Sequence, residues 1–392
     1  MDITGEKMTS GEFRTLVETA RFGPFTFQIG VDYHEAGMLL QRVSDAQSRF
    51  LSAPLSQVAN RLEQEVLVSS IFSTNTIEGG TLTEEETKDA LDINPTQVQA
   101  EEQRRAVNIK AAYDLAQNAA QDLRWRLSVD FIKHLHAAIT DGISHAYSRP
   151  GLIRNNPKNV VTRVGDTAHG GTYKPPQYEG DIELLLHHLA AWHNEMADAE
   201  IPALIRAPLT HYYFELIHPF WDGNGRVGRV LEATVLHGAG FRYAPFAIAR
   251  YYLERIDRYF TLFNLCRKQA DQKKAYPNTP FALFHLEGML IGLNRLHDRV
   301  NAIVKQLLFE TRIRHLRDTK EINLRQYVIL TQMMERDRPL KFDELRRAPW
   351  YLVLYAKLGE KTKQRDLSGL RDQALLVVDE KGLVWPGVVS AK

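Results

Sequence analysis

Apolar residues recur at helical spacing through most of the chain. In five segments they stand at positions i, i+3 and i+4, which places them on one face of a helix and leaves the other face polar. We therefore predict amphipathic helices at 58–70, 101–117, 129–140, 181–195 and 281–308. The pattern indicates a mainly α fold.

One stretch interrupts the helical pattern. Residues 159–164 favour β structure, 165–171 form a glycine-containing turn or loop, and 172–174 are again strand-like before two prolines. The sequence predicts an isolated β-hairpin in a helical protein. A two-stranded hairpin is marginally stable by itself, so it either packs on the helices or serves as a flap.

The pattern changes after about residue 315. Helices are predicted at 323–336, 341–347 and 362–373, the last with Thr362 as a plausible cap, and two short strands follow within 375–385. Three helices and a terminal hairpin are typical of a winged-helix domain. We expect three regions: an N-terminal helical region at 1–100, a core at 101–315 and a winged-helix-like domain at 316–392.

The amino-acid composition excludes few classes of function. The 392 residues include 49 Lys and Arg against 48 Asp and Glu, so the net charge of +1 neither favours nor excludes a nucleic-acid partner. The single cysteine, Cys266, permits no internal disulfide, and we expect it in the core. Residues 1–7 show no signal-peptide pattern, and no stretch approaches the ~20 apolar residues of a membrane span. We expect a cytoplasmic protein without a membrane partner.

A short polar segment stands out between two predicted helices. The helix at 207–217 ends at His218, because the following proline disfavours helical dihedral angles for the residue before it. The turn formed by Gly223, Asn224 and Gly225 has little side-chain bulk, and a second helix begins there. The sequence therefore places a glycine-containing turn directly against a helix N-terminus.

This segment combines the groups that phosphate chemistry needs. A glycine turn and a helix N-terminus favour an anion. Arg226 and Arg229 lie three residues apart, on roughly one side of the first turn, where a cation opposes the helix dipole and a phosphate chain would compensate it. Asp222 offers a hard oxygen for Mg²⁺, and His218 is placed to accept a proton from an attacking hydroxyl.

The same residues resemble the Fic family. Residues 218–229 match its pattern His-x-Phe-x-Asp/Glu-Gly-Asn-Gly-Arg-x-x-Arg at every defined position. Residues 151–154 and 173–176, on either side of the hairpin, look like its flap region, 278–290 are similar to the helix that closes its core, and 362–367 resemble the recognition helix of its appended domain. The resemblance implies a Fic-type helical bundle with a small β-hairpin flap, plus a C-terminal winged helix-turn-helix domain.

The resemblance also implies an activity, the transfer of AMP from ATP to a protein hydroxyl. His218 would be the general base and Asp222 would hold Mg²⁺. The implied nucleotide-binding residues are Gly223, Asn224, Gly225, Arg226, Arg229 and Tyr259. Tyr259 would lie beside the adenine, although a core tyrosine is an equally good interpretation. The hairpin at 159–174 would hold a target protein that presents a Ser, Thr or Tyr hydroxyl, and relatives suggest a homodimer.

A second motif lies in the N-terminal region. Thr74, Glu78 and Gly79 resemble the inhibitory motif Ser/Thr-x-x-x-Glu-Gly/Asn of the same family. The resemblance implies that Glu78 pairs with Arg229 and takes the place of the γ-phosphate. The alternative is a solvated carboxylate at a helix end, since the following glycines suit a helix stop.

Other functions remain open on the same residues. One is the reverse hydrolase, which removes AMP, and another is the transfer of a different nucleotide or phosphorylated group. A different class is a nucleotide-sensing DNA-binding regulator. Residues 361–372 contain four basic and two acidic side chains, fewer phosphate contacts than a tight DNA binder needs, so DNA is not the favoured partner.

Overall fold

The computed structural model describes residues 13–54, 58–122, 124–336 and 338–387. The N-terminal residues 1–7, from which we expect no signal peptide, lie outside this part. The chain divides into two compact units, with a boundary between His297 and Asp298. Each unit is described separately. In the part of the chain described, no helix is both long and apolar enough to span a bilayer.

The first unit consists mainly of helices, and the five predicted amphipathic segments are all helical. Its helices are α1 Tyr33–Leu51, α2 Ala59–Ile77, α3 Glu84–Asp92, α4 Glu101–Gln121, α5 Val129–Thr140, α6 Glu179–Asp198, α7 Ala203–Ile217, α8 Asn224–Gly238, α9 Ala244–Glu254, α10 Ile256–Asp271 and the first part of α11 Thr279–Asp318. Cys266 is fully buried in α10, as expected.

Helix α8 lies at the centre of this unit. It packs against α7 and α4 most extensively and also against α5, α9 and α2. Four of its apolar residues are at most 4% exposed: Val227, Val230, Leu231 and Val235. The burial extends to its polar residues as well. A helix that is surrounded on all sides must satisfy its polar groups inside the protein, which constrains every side chain of the site described below.

The predicted hairpin is present in reduced form. Val164 and Tyr173 form one antiparallel bridge, with N–H to O distances of 2.9 and 2.7 Å. The connecting loop is fixed to α10, because the Asn264 side-chain amide donates to the carbonyl oxygens of His169 and Gly171. The sequence left open whether the hairpin packs on the helices or serves as a flap. The contacts with Asn264 show that it packs on a helix.

A second hairpin was not predicted. Strands β1 Thr15–Glu18 and β2 Pro24–Phe27 pair antiparallel. The turn between them donates three backbone N–H groups, each at 2.9 Å, to the carboxylate of Asp181 in the first turn of α6. Phe27 packs against Trp192 and Tyr213.

The second unit has its own hydrophobic core. Its elements after α11 are α12 Leu324–Met334, β3 Leu340–Lys341, α13 Phe342–Arg347, α14 Pro349–Leu354, α15 Glu360–Asp372, β4 Leu376–Val378 and β5 Leu383–Pro386. The strands form an antiparallel sheet in the order β3-β5-β4. Phe309 and Ile313 of α11 belong to this core. Because α11 is continuous from Thr279 to Asp318, its periodicity gives no sign of the division after residue 297.

Two details of this unit differ from the sequence-based expectation. Helix α15 begins at Glu360 after the N-cap residue Gly359, so Thr362 lies inside the helix and is not its cap. Helix α14, between the second and third predicted helices, was not predicted. It begins with Pro349, which suits a first helical position.

Asp366 is the buried polar centre of the second unit. It is 1% exposed and accepts hydrogen bonds from Arg325 at 2.7 Å, Asn323 at 3.0 Å and the Tyr355 hydroxyl at 2.9 Å. The acidic charge on α15 is therefore directed inward, onto α12 and the residues beside it.

Replacing Asp366 should destabilise the second unit. Asp366→Ala removes the acceptor of three donors, and we expect a loss of about 3 kcal/mol because the buried Tyr355 hydroxyl and the half-buried Asn323 and Arg325 side chains lose their partner. The matched control is Asp372→Ala at the exposed end of α15, which should change stability by less than about 0.5 kcal/mol. Calorimetry of the full chain measures both. Equal effects would show that Asp366 has no such role.

Candidate active site

The loop between α7 and α8 is held in an unusual backbone conformation. His218 ends α7 with φ 49°, in the left-handed region, and Gly223 precedes α8 with φ 81°. Arg154, which is 1% exposed, secures the loop, because its Nε donates to the His218 carbonyl at 2.7 Å and its backbone N–H donates to the Pro219 carbonyl at 2.9 Å. A non-glycine residue keeps such a conformation only when its surroundings fix it, as Arg154 does here.

Asn224 closes the loop on itself. Its Oδ1 accepts from the Phe220 N–H at 2.9 Å and its Nδ2 donates to the Phe220 carbonyl at 2.8 Å. The side chain is therefore occupied, and only its backbone N–H can face an anion. The first helical bond of α8 runs from Val227 N–H to Gly223 O, so the N–H groups of residues 224–226 precede the helical ladder and can face an anion.

Asp222 and Arg226 pair across the first turn of α8 at 2.8 Å. The Asp222 side chain is 33% exposed, whereas Arg226 is buried, and within the described residues the Nε and Nη1 of Arg226 have no hydrogen-bond partner. Burial acts to raise the pKa of Asp222, but attraction to Arg226 and hydrogen bonds from Arg226 and the Gly223 N–H hold that pKa below its ordinary value. An anionic oxygen therefore reaches solvent beside unused guanidinium donors.

Helix α2 ends within the motif formed by Thr74, Glu78 and Gly79. The Gly80 N–H donates to Asn75 O at 2.9 Å and the Gly79 N–H donates to Thr76 O at 3.0 Å, while Gly79 has φ 84°. These bonds form a Schellman motif, in which Gly79 supplies the left-handed residue and Glu78 is the C-cap. A carboxylate at a helix C-terminus opposes the helix dipole, so helix stability does not favour glutamate at this position.

Glu78 is paired with Arg229. The carboxylate lies 2.7 Å from Nη2 of Arg229, which also donates to the Thr74 carbonyl at 3.2 Å, and Nη1 donates to the Tyr259 hydroxyl at 3.3 Å. Burial acts to lower the pKa of Arg229, but the attraction of Glu78 outweighs it and raises that pKa. The alternative of a free, solvated Glu78 therefore does not describe this structure.

The Glu78 carboxylate also contacts the start of α8. A Cβ atom added to Gly225 would lie 2.2 Å from Oε1 of Glu78, closer than two non-bonded atoms can approach. The carboxylate therefore occupies the space that the missing side chain leaves open at the N-terminus of α8. This is the position in which the sequence predicts a phosphate.

A cavity of about 310 Å³ is lined by some of these groups but not by Asp222, Asn224 or Arg226. The residues of the motifs form one side, with Glu78, His218, Gly225, Arg229 and Tyr259. The other side is formed by the reduced hairpin and α10, including Val164, Tyr173, Phe263, Asn264 and Arg267. Charged groups thus face an aromatic and polar wall, and the volume lies at the lower end of the range for small-molecule pockets.

Tyr259 contacts the arginine end of this cavity through its hydroxyl. Its ring stacks on Tyr252, with centroids 4.7 Å apart, and it is 1% exposed. The adenine contact implied by the resemblance stays a prediction, whereas the observed polar contacts of the hydroxyl are with Arg229 and His211.

Glu215 is a site residue that the sequence analysis missed. Its Oε2 lies 3.5 Å from Nδ1 of His218, and it lines the same cavity. The signal was available, because residues three apart share one helix face and an acid is exceptional on the buried side of α7. His211, one turn earlier on this face, is buried and forms hydrogen bonds that are considered below.

The donor set suits Mg²⁺ only in combination with a phosphate ligand. Among the described residues, no group of three or more His, Cys, Asp or Glu side chains could hold a metal ion. A single partly exposed carboxylate such as Asp222 fits the habit of Mg²⁺, which binds through one or two carboxylates, substrate phosphates and water.

Sequence comparison identifies relatives of this site. Residues 126–236 match the sequence model of the Fic/DOC family. A protein adenylyltransferase Fic from Drosophila ananassae is 28% identical over 187 residues, covering 47% of this chain and 35% of the relative. Its counterpart from Drosophila willistoni is 28% identical over 200 residues, covering 50% and 38%. The match thus spans about a third of the length of these curated relatives.

Structure comparison identifies the same fold. A Fic domain containing signaling protein from Bacteroides thetaiotaomicron aligns with a TM-score of 0.55 at 21% identity, covering 66% of this chain and 97% of that one. A Fic family protein from Desulfovibrio desulfuricans gives 0.51 at 18% identity, covering 90% and 96%. Fic-1 from C. elegans gives 0.53 at 21% identity, covering 68% and 73%.

Removing Glu78 should expose an anion site. Glu78→Ala leaves the buried Arg229 cation without its carboxylate, so we expect a lower melting temperature. Inorganic diphosphate should restore it more strongly than it stabilises the unaltered protein, because an anion that binds only the folded state stabilises by mass action.

The matched control for this experiment is Glu84→Ala, which breaks the exposed pair between Glu84 and Arg250. That variant should gain no additional stabilisation from diphosphate, since exposed ion pairs contribute about 0–1 kcal/mol. Equal responses of the two variants would mean that Glu78 does not occupy an anion site.

Proposed function

We propose that this chain, whose residues 126–236 match the sequence model of the Fic/DOC family, is an auto-inhibited protein adenylyltransferase. It transfers AMP from ATP to a Ser, Thr or Tyr hydroxyl of a target protein, including itself. One observation carries the proposal: His218 and the anion site at the start of α8 line the same cavity. The curated relatives named protein adenylyltransferase Fic support it at the family level.

The proposed reaction is an in-line displacement at the α-phosphorus. The oxygen of the target hydroxyl forms a bond to phosphorus, the bond to the bridging oxygen breaks, and diphosphate leaves with its electron pair. His218 accepts the hydroxyl proton as general base. The turn of Gly223, Asn224 and Gly225 holds the phosphates through the free backbone N–H groups of residues 224–226, while Arg226 and Arg229 neutralise the leaving diphosphate.

Asp222 is the residue that holds Mg²⁺ in this proposal. The ion supplies positive charge to the phosphate oxygens. Arg226 must then bind Asp222 and the phosphates at the same time. Its two unused guanidinium nitrogens support this division, because they can bind an oxygen without breaking the bond to Asp222.

Glu78 is the inhibitory residue. In the observed arrangement it uses the Arg229 donor that a γ-phosphate requires, so ATP with its full phosphate chain and Glu78 compete for one cation. Thr74 contributes a carbonyl to the same guanidinium, and Gly79 permits the sharp helix end that aims Glu78 inward. The three motif residues thus have separate physical roles in one brake.

The target protein adds a strand to the hairpin at 159–174. The single bridge between Val164 and Tyr173 leaves neighbouring backbone groups for a partner strand, which supports recognition by strand addition. The homodimer, the cytoplasmic location and the division at residues 100 and 315 stay predictions.

The second unit is proposed as a winged helix. Its order of helices followed by an antiparallel hairpin supports this class. DNA remains the less favoured partner, because the exposed side of α15 combines basic residues with Glu360 and Asp372.

A second activity on the same site is the removal of AMP from a modified protein. The observation that favours it is the position of Glu78, whose carboxylate lines the cavity with His218 and can orient a water molecule. Loss of AMP from a labelled target by the unaltered protein, but not by Glu78→Gly, would identify this direction. Labelled UTP in place of ATP tests transfer of another nucleotide.

The Glu78→Gly variant should be more active than the unaltered protein. Without the carboxylate, ATP binds with its γ-phosphate on Arg229, and we expect at least a tenfold rise in transfer. Intact-mass measurement after incubation with ATP and Mg²⁺ should show the gain of one AMP per chain. A rate at or below that of the unaltered protein would remove the brake from the proposal.

His218→Ala, made in the Glu78→Gly background, should abolish transfer while ATP still binds. A positioned general base contributes about 10²–10⁴-fold, so the AMP adduct should be absent from the mass spectrum. Retained ATP binding, measured by calorimetry, shows that the site is intact. Full transfer activity in this double variant would contradict the role of His218.

A further inference from the structure

A buried chain of polar side chains runs from Arg229 into the protein interior. The Tyr259 hydroxyl accepts from Arg229 Nη1 and lies 3.1 Å from Nε2 of His211. Nδ1 of His211 lies 2.5 Å from Glu232 Oε2. All four residues are at most 4% exposed, and neither His211 nor Glu232 has a part in the proposed reaction.

The direction of these hydrogen bonds follows from chemistry. A guanidinium has only donors, so Tyr259 must accept from Arg229 and has its one proton left for His211. His211 then accepts at Nε2 and donates from Nδ1 to the Glu232 carboxylate. Burial acts to raise the pKa of Glu232, but its contacts with His285 and His211 lower that pKa, which keeps this end of the chain an acceptor.

The inner end of this chain is firmly anchored. Oε1 of Glu232 accepts from the Tyr252 hydroxyl at 2.6 Å and lies 2.5 Å from Nδ1 of His285. These contacts join side chains from five core helices: α7, α8, α9, α10 and α11. Each side chain of this network is held by hydrogen bonds to its neighbours, so few alternative rotamers are allowed.

The other contacts of Arg229 have a different origin. Glu78 and Thr74 both belong to the end of α2, which must yield its position when a phosphate binds. Among the described residues, only the Tyr259 contact with Arg229 comes from the core helices α7 to α11. We propose that Tyr259, His211 and Glu232 form a relay of positioning residues, which holds Arg229 in its phosphate-binding orientation once Glu78 has left. This inference rests on the proposed function.

The test is a double-mutant cycle read by ligand binding. ATP and AMP affinities are measured by calorimetry for the unaltered protein, Tyr259→Phe, Glu78→Gly and the double variant. In the Glu78→Gly background, Tyr259→Phe should weaken ATP binding about tenfold, the size expected for a hydrogen bond to a charged group. With Glu78 present the loss should stay below about threefold, because the α2 contacts still hold Arg229.

AMP is the internal control, because it lacks the phosphates that Arg229 binds, and its affinity should not change. The matched protein control is Tyr213→Phe, which removes an equally buried hydroxyl that bonds Gln28 and Asn278 away from the site. Equal losses of ATP affinity in both backgrounds, or equal losses for ATP and AMP, would overturn the relay. Glu78→Ala replaces Glu78→Gly if the glycine variant does not fold.

A second measurement tests the inner part of the relay. Nitrogen NMR of the His211 ring should show the proton on Nδ1 and none on Nε2 near neutral pH. A proton on Nε2 would reverse the bond to Tyr259 and overturn the relay. Both measurements are independent of AMP transfer, so failure of the proposed reaction and failure of the relay are distinguishable.

Discussion

The architecture of the site depends on one buried cation. Arg229 lies in the first turns of the central helix, where the helix dipole already supplies positive charge. Its guanidinium cannot lose its proton in a protein, so some negative or strongly polar group must always lie within reach. In this structure that group is Glu78. The start of α8 is therefore stable only when negative charge lies beside Arg229. A phosphate chain can supply that charge in place of Glu78.

The central position of α8 explains why the rest of the site is rigid. Since the helix is buried on every side, each of its polar residues needs a partner inside the protein. Asn224 forms hydrogen bonds with the backbone of Phe220, and Arg226 pairs with Asp222. Glu232 pairs with histidines of neighbouring helices. A site supported in this way holds its geometry without a ligand, which is the condition for electrostatic preorganisation.

The sequence predicted what local patterns determine. The amphipathic helices follow from apolar periodicity, and the loop at 218–229 places all its chemical groups within twelve residues. The contact of Glu78 with Arg229 joins residues that are 151 positions apart. It was expected only through a resemblance to the Fic family, since no spacing rule connects such distant residues.

The features that the sequence did not predict depend on tertiary contacts. The β1–β2 turn is secured by Asp181, about 160 residues away, so its own short strands give little signal. Glu215 and His211 acquire their roles from neighbours on other helices. Thr362 was a reasonable cap by residue type, but α15 begins at Glu360, with Gly359 as its N-cap residue. In each case a distant or competing contact decided between locally acceptable alternatives.

The connection that bears Glu78 is short and closed at both ends. A Schellman motif terminates α2, and a capping box of Thr83 and Glu86 opens α3 a few residues later. These hydrogen bonds fix the backbone of the short segment, so a change in loop conformation alone does not move the Glu78 backbone away from Arg229. The backbone at Glu78 can therefore move away only with α2, which packs most on α9 and α4. Under the proposed inhibitory role, a signal that displaces the body of α2 would act on the Glu78–Arg229 pair without entering the cavity.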